Sequence, residues 1–168
     1  VVGPKVYSEP WKRFSSLCFG TIKTAQSSQV ASGAAVMRPR EVARIARATI
    51  ACVFERLDAG DALLLFGEGS RSRDTTLQPL LPAVARYCER PDLWLVPCSI
   101  VGTEKFLGFA AVRPQTTHAV LRIGPPVQAS KLIARCAGNR ELVRALGHMS
   151  ADTLPEAYRG AYAAPLAG

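Results

Sequence analysis

The sequence predicts an α/β domain with a central, mostly parallel sheet and helices on both of its faces. Two apolar runs, Ala62–Phe66 and Leu93–Val101, have the continuous hydrophobic character of strands that are buried on both sides. Each run is followed by a polar loop, and the stretch Leu77–Arg90 between them has helical spacing. This order is typical of a βαβ unit, in which ligands gather at the carboxyl ends of the parallel strands.

Length and composition favour one self-supporting domain over residues 1–168. A chain of this size buries a core without disulfides or metals, and its 48% hydrophobic and 20% charged residues exclude a disordered tail. No uncharged apolar run approaches the roughly 18 residues of a spanning helix, so we expect any membrane association to be peripheral. The chain opens on Val1 rather than Met and enters apolar sequence at once, so we expect an N-terminal portion of the natural protein to precede it.

The formal charge of +8 suits an anionic partner, which could be phospholipid headgroups, a phosphorylated substrate or nucleic acid. The basic residues are scattered from Arg13 to Arg159 without an aromatic platform for stacking bases, so no specific nucleic-acid binding is expected. The 5 cysteines form no Cys-x-x-Cys pair and are typical of reduced core residues in the cytoplasm. Neither histidine has metal-ligand spacing around it, so no metal site is predicted.

The first half of the chain contains one strongly predicted helix. Before it, a short helix over Arg13–Phe19 and a short strand over Thr21–Thr24 are expected. Apolar residues then recur at helical spacing over Arg40–Ala59, with charged residues on the opposite face. Pro39 suits the first turn and Gly60 the C-terminal end, which sets the bounds of this helix.

The second half predicts one further strand and two helices. After the Leu93–Val101 strand, the apolar segment Lys105–Val112 could form a lid, a wall of an acyl pocket or ordinary core. A strand is expected over Ala119–Ile123. The last two helices are expected around Ser130–Cys136 and from Asn139, a residue type suited to the N-cap, to about Thr153.

The loop after the first predicted strand has the side chains of an anion-binding site. Arg71 supplies a forked donor suited to phosphate, and Ser70 and the backbone N–H groups around Gly67 and Gly69 add neutral donors. An ionised Glu68 repels phosphate, so it would hold a neighbouring hydroxyl or an ion pair with Arg71. The alternative is a solvated turn with an Arg–Glu pair and no ligand.

Three segments resemble the glycerolipid acyltransferases that include 1-acylglycerol-3-phosphate acyltransferase. Residues 66–73, Phe-Gly-Glu-Gly-Ser-Arg-Ser-Arg, resemble that family's Phe-Pro-Glu-Gly-Thr-Arg-Ser block, with Gly67 in place of the usual Pro and Ser70 in place of the usual Thr. Leu95–Thr103 is similar to a block of the family that contains Val-Pro. Leu154–Tyr162 is similar to a closing segment common among its bacterial members.

The resemblance implies a fatty acyl transfer in phospholipid biosynthesis, with a glycerol-phosphate acyltransferase-like fold. The donor would be acyl-CoA or acyl carrier protein as co-substrate, without a cofactor, and the acceptor a hydroxyl of a glycerol phosphate or lysophospholipid. Such an enzyme would work in the cytoplasm, peripherally at the anionic inner face of the membrane. In this family a His activates the acceptor hydroxyl as general base and an Asp orients the His.

The resemblance also implies which residues bind the acceptor. These are Glu68, Gly69, Ser70 and Arg71, with Arg71 on the phosphate. Val96 and Pro97 would shape the floor of the site or the acyl channel. The family often has a Gly-x-Ile sequence followed four residues later by an Arg that contacts the phosphate. This chain has Gly20-Thr21-Ile22 followed by Gln26, so one expected phosphate contact is missing.

The histidines depart from the family pattern of His and Asp separated by four residues. Five residues after His118 stands Ile123, and five residues after His148 stands Thr153. No catalytic residue is therefore predicted in this chain, the His/Asp pair is expected upstream of Val1, and the 168 residues alone are predicted to be inactive. The alternative function is a non-catalytic acyltransferase-like domain that binds lipid or phosphate. A weaker alternative is an adaptor for an acidic partner or nucleic acid.

Overall fold

The computed structural model describes residues 10, 14, 20–22, 38–69, 72, 74–106 and 115–164. The chain divides into two compact units, Val1–Phe66 and Gly67–Gly168. Most of the elements predicted before residue 38 lie outside the described residues, as do residues 107–114 of the apolar segment after the second predicted strand.

The first unit contains the strongly predicted helix, α1, at Pro39–Asp58. Pro39 occupies the first turn, where its missing N–H costs nothing, and the helix ends one residue before the predicted limit. Thr49 and Val53, one turn apart, are its most buried residues. Gly60 follows in the left-handed conformation at φ 89°, so the helix is confirmed with its predicted stop.

The strand predicted over Ala62–Phe66 is wrong. Residues 61–66 have no regular secondary structure, and Leu64 and Phe66 are 66% and 65% exposed. An apolar run favours extended chain, but a strand exists only where a second strand provides its hydrogen bonds. The run itself contains no information about such a partner.

The second unit contains two small antiparallel sheets. Strand β1 (Trp94–Leu95) pairs with β4 (Val127–Gln128), and β2 (Cys98–Val101) pairs with β3 (Val120–Ile123). Cys98 lies opposite Ile123, and Val101 lies opposite Val120. Within the described residues there is no parallel pairing, so the predicted central parallel sheet flanked by helices on both faces is wrong.

Proline explains part of this difference. The predicted strand Leu93–Val101 is divided into β1 and β2 at Pro97, which has no N–H to donate to a ladder. The predicted helix Leu77–Arg90 is reduced to α2 at Val84–Tyr87, because Pro79 and Pro82 interrupt its first half. Without a long crossover helix, the strands pair with later segments that return in the opposite direction.

Burial along residues 93–101 alternates. The odd-numbered positions are partly or fully buried, whereas Trp94, Val96, Cys98 and Ile100 are exposed. Leu121 and Ile123 lie on the same outward face as Ile100, because cross-strand partners share a face, and they are 59% and 66% exposed. The segment is therefore buried on one face only, although its sequence suggests two.

Three helices complete the second unit in its described part. They are α3 (Thr103–Phe106), α4 (Ala129–Ile133) and α5 (Asn139–Asp152), followed by 3₁₀ turns at Glu156–Tyr158 and Gly160–Tyr162. The predicted positions of α4, α5 and β3 are confirmed to within three residues at each end.

The core of the second unit forms where α2, α4 and α5 meet. Its buried centre is Ala85, Cys88, Leu132 and Leu142, and the partly buried residues around it are Leu95, Ile133, Cys136, Val143, Ala145, Leu146 and Met149. The N-terminus of α5 is capped differently from the prediction, with Gly138 at the N-cap in place of Asn139. Glu141, in the first turn, accepts a hydrogen bond of 2.6 Å on its Oε2 from the N–H of Ala137, the residue before the N-cap.

Candidate functional site

The loop that carries the predicted acceptor site begins with two glycines in close contact with leucines. Gly69 has φ 67°, and a Cβ there would overlap the side chain of Leu81. The Leu81 N–H donates to the Gly67 carbonyl at 2.9 Å. The chain therefore turns back tightly at this point, which accounts for Gly at position 69. Ser70 and Arg71, predicted to hold the phosphate, lie outside the described residues.

Glu68 is bound to the chain that follows the loop. Its Oε2 accepts a hydrogen bond of 2.8 Å from the Gln78 N–H, and the residue is half-buried. Burial raises the pKa of Glu68 above its usual value, the Gln78 N–H opposes the rise, and the nearby charge of Asp74 adds to it. Among the described residues no hydrogen bond to Glu68 Oε1 is present.

Asp74 organises the chain between the loop and Gln78. Its Oδ1 accepts from Ser72 Oγ at 2.7 Å, from Thr76 N and Oγ1 at 3.1 and 2.9 Å, and from Gln78 Nε2 at 2.8 Å. These hydrogen bonds, led by that from Ser72, lower the pKa of Asp74 to about 2. Thr75 has φ 66°, an uncommon conformation for a β-branched residue.

Sequence reasoning missed the organising role of Asp74. The signal was the spacing Ser72-x-Asp74-x-Thr76, because an Asp side chain often accepts from the backbone N–H two residues later.

The closing segment, residues 154–162, lies against the chain after the loop. The Leu77 N–H donates to the Tyr158 carbonyl at 2.9 Å, and the Ala161 N–H donates to the Leu77 carbonyl at 3.0 Å. The Leu80 N–H donates to the Tyr162 hydroxyl oxygen at 2.9 Å. Gly160 has φ 47°, and a Cβ there would overlap the Leu77 carbonyl. The closing segment therefore supports the chain that holds Glu68.

Tyr162 is fixed by α5. The residue is 8% exposed, and its ring lies so close to Gly147 that a Cβ at that position would overlap it. The His148 ring meets it edge-on, with centroids 5.2 Å apart and planes at 81°. His148 therefore packs against an aromatic ring, and it forms no hydrogen bond with Asp152 on the same helix.

The Val-Pro segment is placed differently from the Glu68 loop. Val96 is 50% exposed, and Pro97 is half-buried with its carbonyl accepting from the Gly124 N–H at 2.8 Å. Glu68 forms no hydrogen bond with either residue. The structure therefore does not unite the two predicted parts of the site through direct hydrogen bonds.

A second carboxylate, which sequence reasoning missed, joins the end of β2 to the closing segment. Glu104 Oε2 accepts from the Gly102 N–H at 2.8 Å, and Glu104 Oε1 accepts from the Tyr158 hydroxyl at 3.1 Å. This hydrogen bond and the charge of Glu104 raise the pKa of Tyr158. The Gly-Thr-Glu sequence after the strand could not predict this role of Glu104, because it gives no information about the distant Tyr158.

No helix in the described ranges has the length and apolar character needed to cross a bilayer. In the same ranges no group of three His, Cys, Asp or Glu side chains is placed to hold a metal ion. The described cysteines, Cys52, Cys88, Cys98 and Cys136, have free thiols, and Cys18 lies outside the described residues. Burial raises the pKa of the Cys88 thiol to about 11, which keeps it protonated and unreactive at neutral pH.

Comparison with protein-family models, curated proteins and solved structures returns no match to this chain. The resemblance to glycerolipid acyltransferases therefore depends on the amino-acid sequence of the three segments alone.

Proposed function

We propose that this chain carries the acceptor site of a glycerolipid acyltransferase. The enzyme would move a fatty acyl group from acyl-CoA or acyl carrier protein to a hydroxyl of a glycerol phosphate or lysophospholipid. Glu68 would accept a hydrogen bond from a glycerol hydroxyl, and Gly69, Ser70 and Arg71 would bind the phosphate.

One observation carries this proposal: the three segments of the resemblance belong to one hydrogen-bonded network. The chain directly after the Glu68 loop pairs with the closing segment at Leu77 and Tyr158. Tyr158 in turn binds Glu104, which accepts from Gly102 in the segment that resembles the Val-Pro block. The fold therefore brings the three segments together, which a site built from all three requires.

The chemistry requires a base, which the family provides as a His with an Asp five positions later. In the transfer, the acceptor hydroxyl oxygen attacks the thioester carbonyl, the carbon–sulfur bond breaks and the thiol leaves, while a base takes the hydroxyl proton. No His in the sequence is followed five residues later by Asp. The 168 residues are therefore proposed to bind the acceptor without transferring the acyl group to it.

We also propose that this activity takes place in the cytoplasm, at the inner face of a membrane. The charge of +8 favours contact with anionic headgroups. The lysophospholipid acceptor itself resides in such a surface, so peripheral binding would bring the loop to its substrate.

Acceptor binding tests the proposal directly. Isothermal titration of the chain with lysophosphatidic acid below its micelle concentration should give saturable binding, weakened about tenfold to a hundredfold by Arg71→Ala, because a charge-assisted hydrogen bond to phosphate is lost. Arg73→Ala is the matched control, since it removes the same charge two residues away. Equal losses in the two variants would show nonspecific attraction to charge and overturn the proposal.

The alternative is a domain that binds lipid or phosphate and belongs to no catalytic assembly. The edge-on packing of His148 on Tyr162 favours it, because that ring faces a structural partner. Thioester release is the discriminating measurement, made with the protein as its natural gene encodes it. Turnover that Glu68→Gln and Arg71→Ala both reduce supports the acyltransferase, whereas tight binding without turnover supports the alternative.

A further inference from the structure

We propose that Tyr162 is a positioning residue of the candidate acceptor site. Its hydroxyl holds the Leu80 N–H, and this fixes the segment whose Gln78 N–H binds the Glu68 carboxylate. The effect on acceptor binding rests on the proposed function. The effect on Glu68 depends only on the contacts of the chain.

The position of the Tyr162 hydroxyl is determined by α5. The ring is buried on Gly147, where no Cβ fits, and the His148 ring restrains it edge-on. A hydroxyl on a ring held in this way has a fixed location, so it is a rigid acceptor for the Leu80 N–H.

Residues 77–80 connect Tyr162 to Glu68 through their backbone hydrogen bonds. Leu77 is bound through both its N–H and its carbonyl to the closing segment. Pro79 has no N–H, so the next backbone donor after Gln78 is Leu80, and its partner is Tyr162. With Leu77 and Leu80 both bound, the Gln78 N–H between them points at Glu68 Oε2 at 2.8 Å.

Loss of the Tyr162 hydroxyl would therefore weaken the hydrogen bond between the Gln78 N–H and the Glu68 carboxylate. The Leu80 N–H would lose its acceptor, and the Gln78 N–H would bind the carboxylate for less of the time. Since this N–H favours the ionised form of Glu68, and burial and the Asp74 charge oppose that form, the Glu68 proton would be held more tightly.

The test is Tyr162→Phe in the full chain, with the Glu68 side-chain carboxyl titrated by carbon-13 NMR. The pKa of Glu68 should rise relative to the unsubstituted protein, and the Gln78 and Leu80 amides should exchange with solvent at least about tenfold faster. Tyr158→Phe is the matched control. It removes a tyrosine hydroxyl from the same segment, but that hydroxyl binds Glu104, and the Tyr158 carbonyl still accepts from Leu77.

An unchanged Glu68 pKa in Tyr162→Phe would overturn the proposal, as would an equal shift in Tyr158→Phe. Gly147→Ala provides a second route should Tyr162→Phe fail to fold. It displaces the ring while the hydroxyl remains, and it should move the pKa of Glu68 in the same direction.

Titration with lysophosphatidic acid separates this inference from the proposed function. Weaker binding by Tyr162→Phe, together with the shifted Glu68 pKa, supports both. If the pKa shifts while the unsubstituted protein binds no acceptor, Tyr162 positions Glu68 and the proposed function fails. If the pKa shifts while both proteins bind equally well, Tyr162 has no role in acceptor binding and that part of the inference is overturned.

Discussion

Tyr158 and Glu104 lie 54 positions apart in the sequence and share a hydrogen bond of 3.1 Å. The other carboxylate oxygen of Glu104 accepts from the Gly102 N–H, directly after β2. Gly102 itself has φ 97°, and a Cβ there would overlap the His118 carbonyl. One carboxylate thus joins a tight turn at the end of a strand to the closing segment of the chain.

Replacing Glu104 by Gln should lower the pKa of Tyr158. In the protein the carboxylate accepts from the Tyr158 hydroxyl, which stabilises the protonated phenol, and its negative charge opposes the phenolate. The amide keeps an acceptor but loses the charge. NMR titration of the Tyr158 ring between about pH 8 and about pH 12 measures the shift in its pKa. Glu156→Gln, an exposed change in the same segment, is the control, and an equal shift in both variants would contradict the contact.

Gly147→Ala should destabilise the protein, although Ala favours helix over Gly by up to about 1 kcal/mol. The added methyl overlaps the Tyr162 ring, and overpacking of this kind costs about 1–3 kcal/mol. We expect a net loss in the free energy of unfolding, measured by urea denaturation.

The same substitution in a Tyr162→Ala background isolates the cause. With the ring removed, Gly147→Ala should become stabilising through its helix propensity alone. If it destabilises both backgrounds equally, the overlap with Tyr162 is not the reason.

Asp74→Asn should destabilise the protein in a pH-dependent way. The folded pKa of Asp74, about 2, lies below the ordinary value of 3.8, so its ionised form contributes stability that is present above 3.8 and lost as the pH falls through about 2. The stability difference between the two proteins should therefore be constant at neutral pH and shrink over that acid window. Urea denaturation across the pH range measures it.

Glu89→Gln is the matched control for Asp74→Asn, because it removes an exposed carboxylate that accepts no hydrogen bond from a described residue. A difference for Asp74→Asn that stays constant down to the folded pKa would contradict the role of the four hydrogen bonds.

The outward face of β2 and β3 should tolerate polar substitution. Leu121 is 59% exposed, so Leu121→Thr should change the free energy of unfolding by no more than about 0.5 kcal/mol. Leu142, 4% exposed in the core, is the contrast, and Leu142→Ala should cost about 2–5 kcal/mol. A large loss for Leu121→Thr in chemical denaturation would show that this face is covered in solution.

Sequence periodicity predicted the helices better than the sheet. The bounds of α1 follow from local spacing together with Pro39 and Gly60, which act on their own neighbours. The start of α5 was predicted correctly at Asn139, although the N-cap is Gly138. The parallel sheet failed because pairing is a property of two distant segments, and the apolar run at 62–66 resembles a strand whether or not a partner exists. The breaks at Pro79, Pro82 and Pro97 could be predicted from the sequence, because proline has no N–H for a helix or a strand ladder.

The residues of the candidate loop could be predicted from the sequence, but the residues that hydrogen-bond to the chain around it could not. Glu68 and Gly69 could be selected from the loop sequence, because glycine and a carboxylate after an apolar run are chemically distinctive. The roles of Glu104 and Tyr162 could not be predicted from the sequence, because their hydrogen-bond partners lie 54 and 82 positions away. The role of Asp74 could be predicted from its spacing to Thr76, because an Asp side chain often accepts from the N–H two residues later.

The hydrogen bond between Leu80 and Tyr162 spans 82 positions, which has a consequence for the order of folding during synthesis. A ribosome that has made the Glu68 loop has yet to make the segment that supports it. Closing so long a loop also carries an entropic cost that local helices do not pay. α1 can therefore form while translation continues, whereas the support of Glu68 is completed only after Tyr162 has emerged.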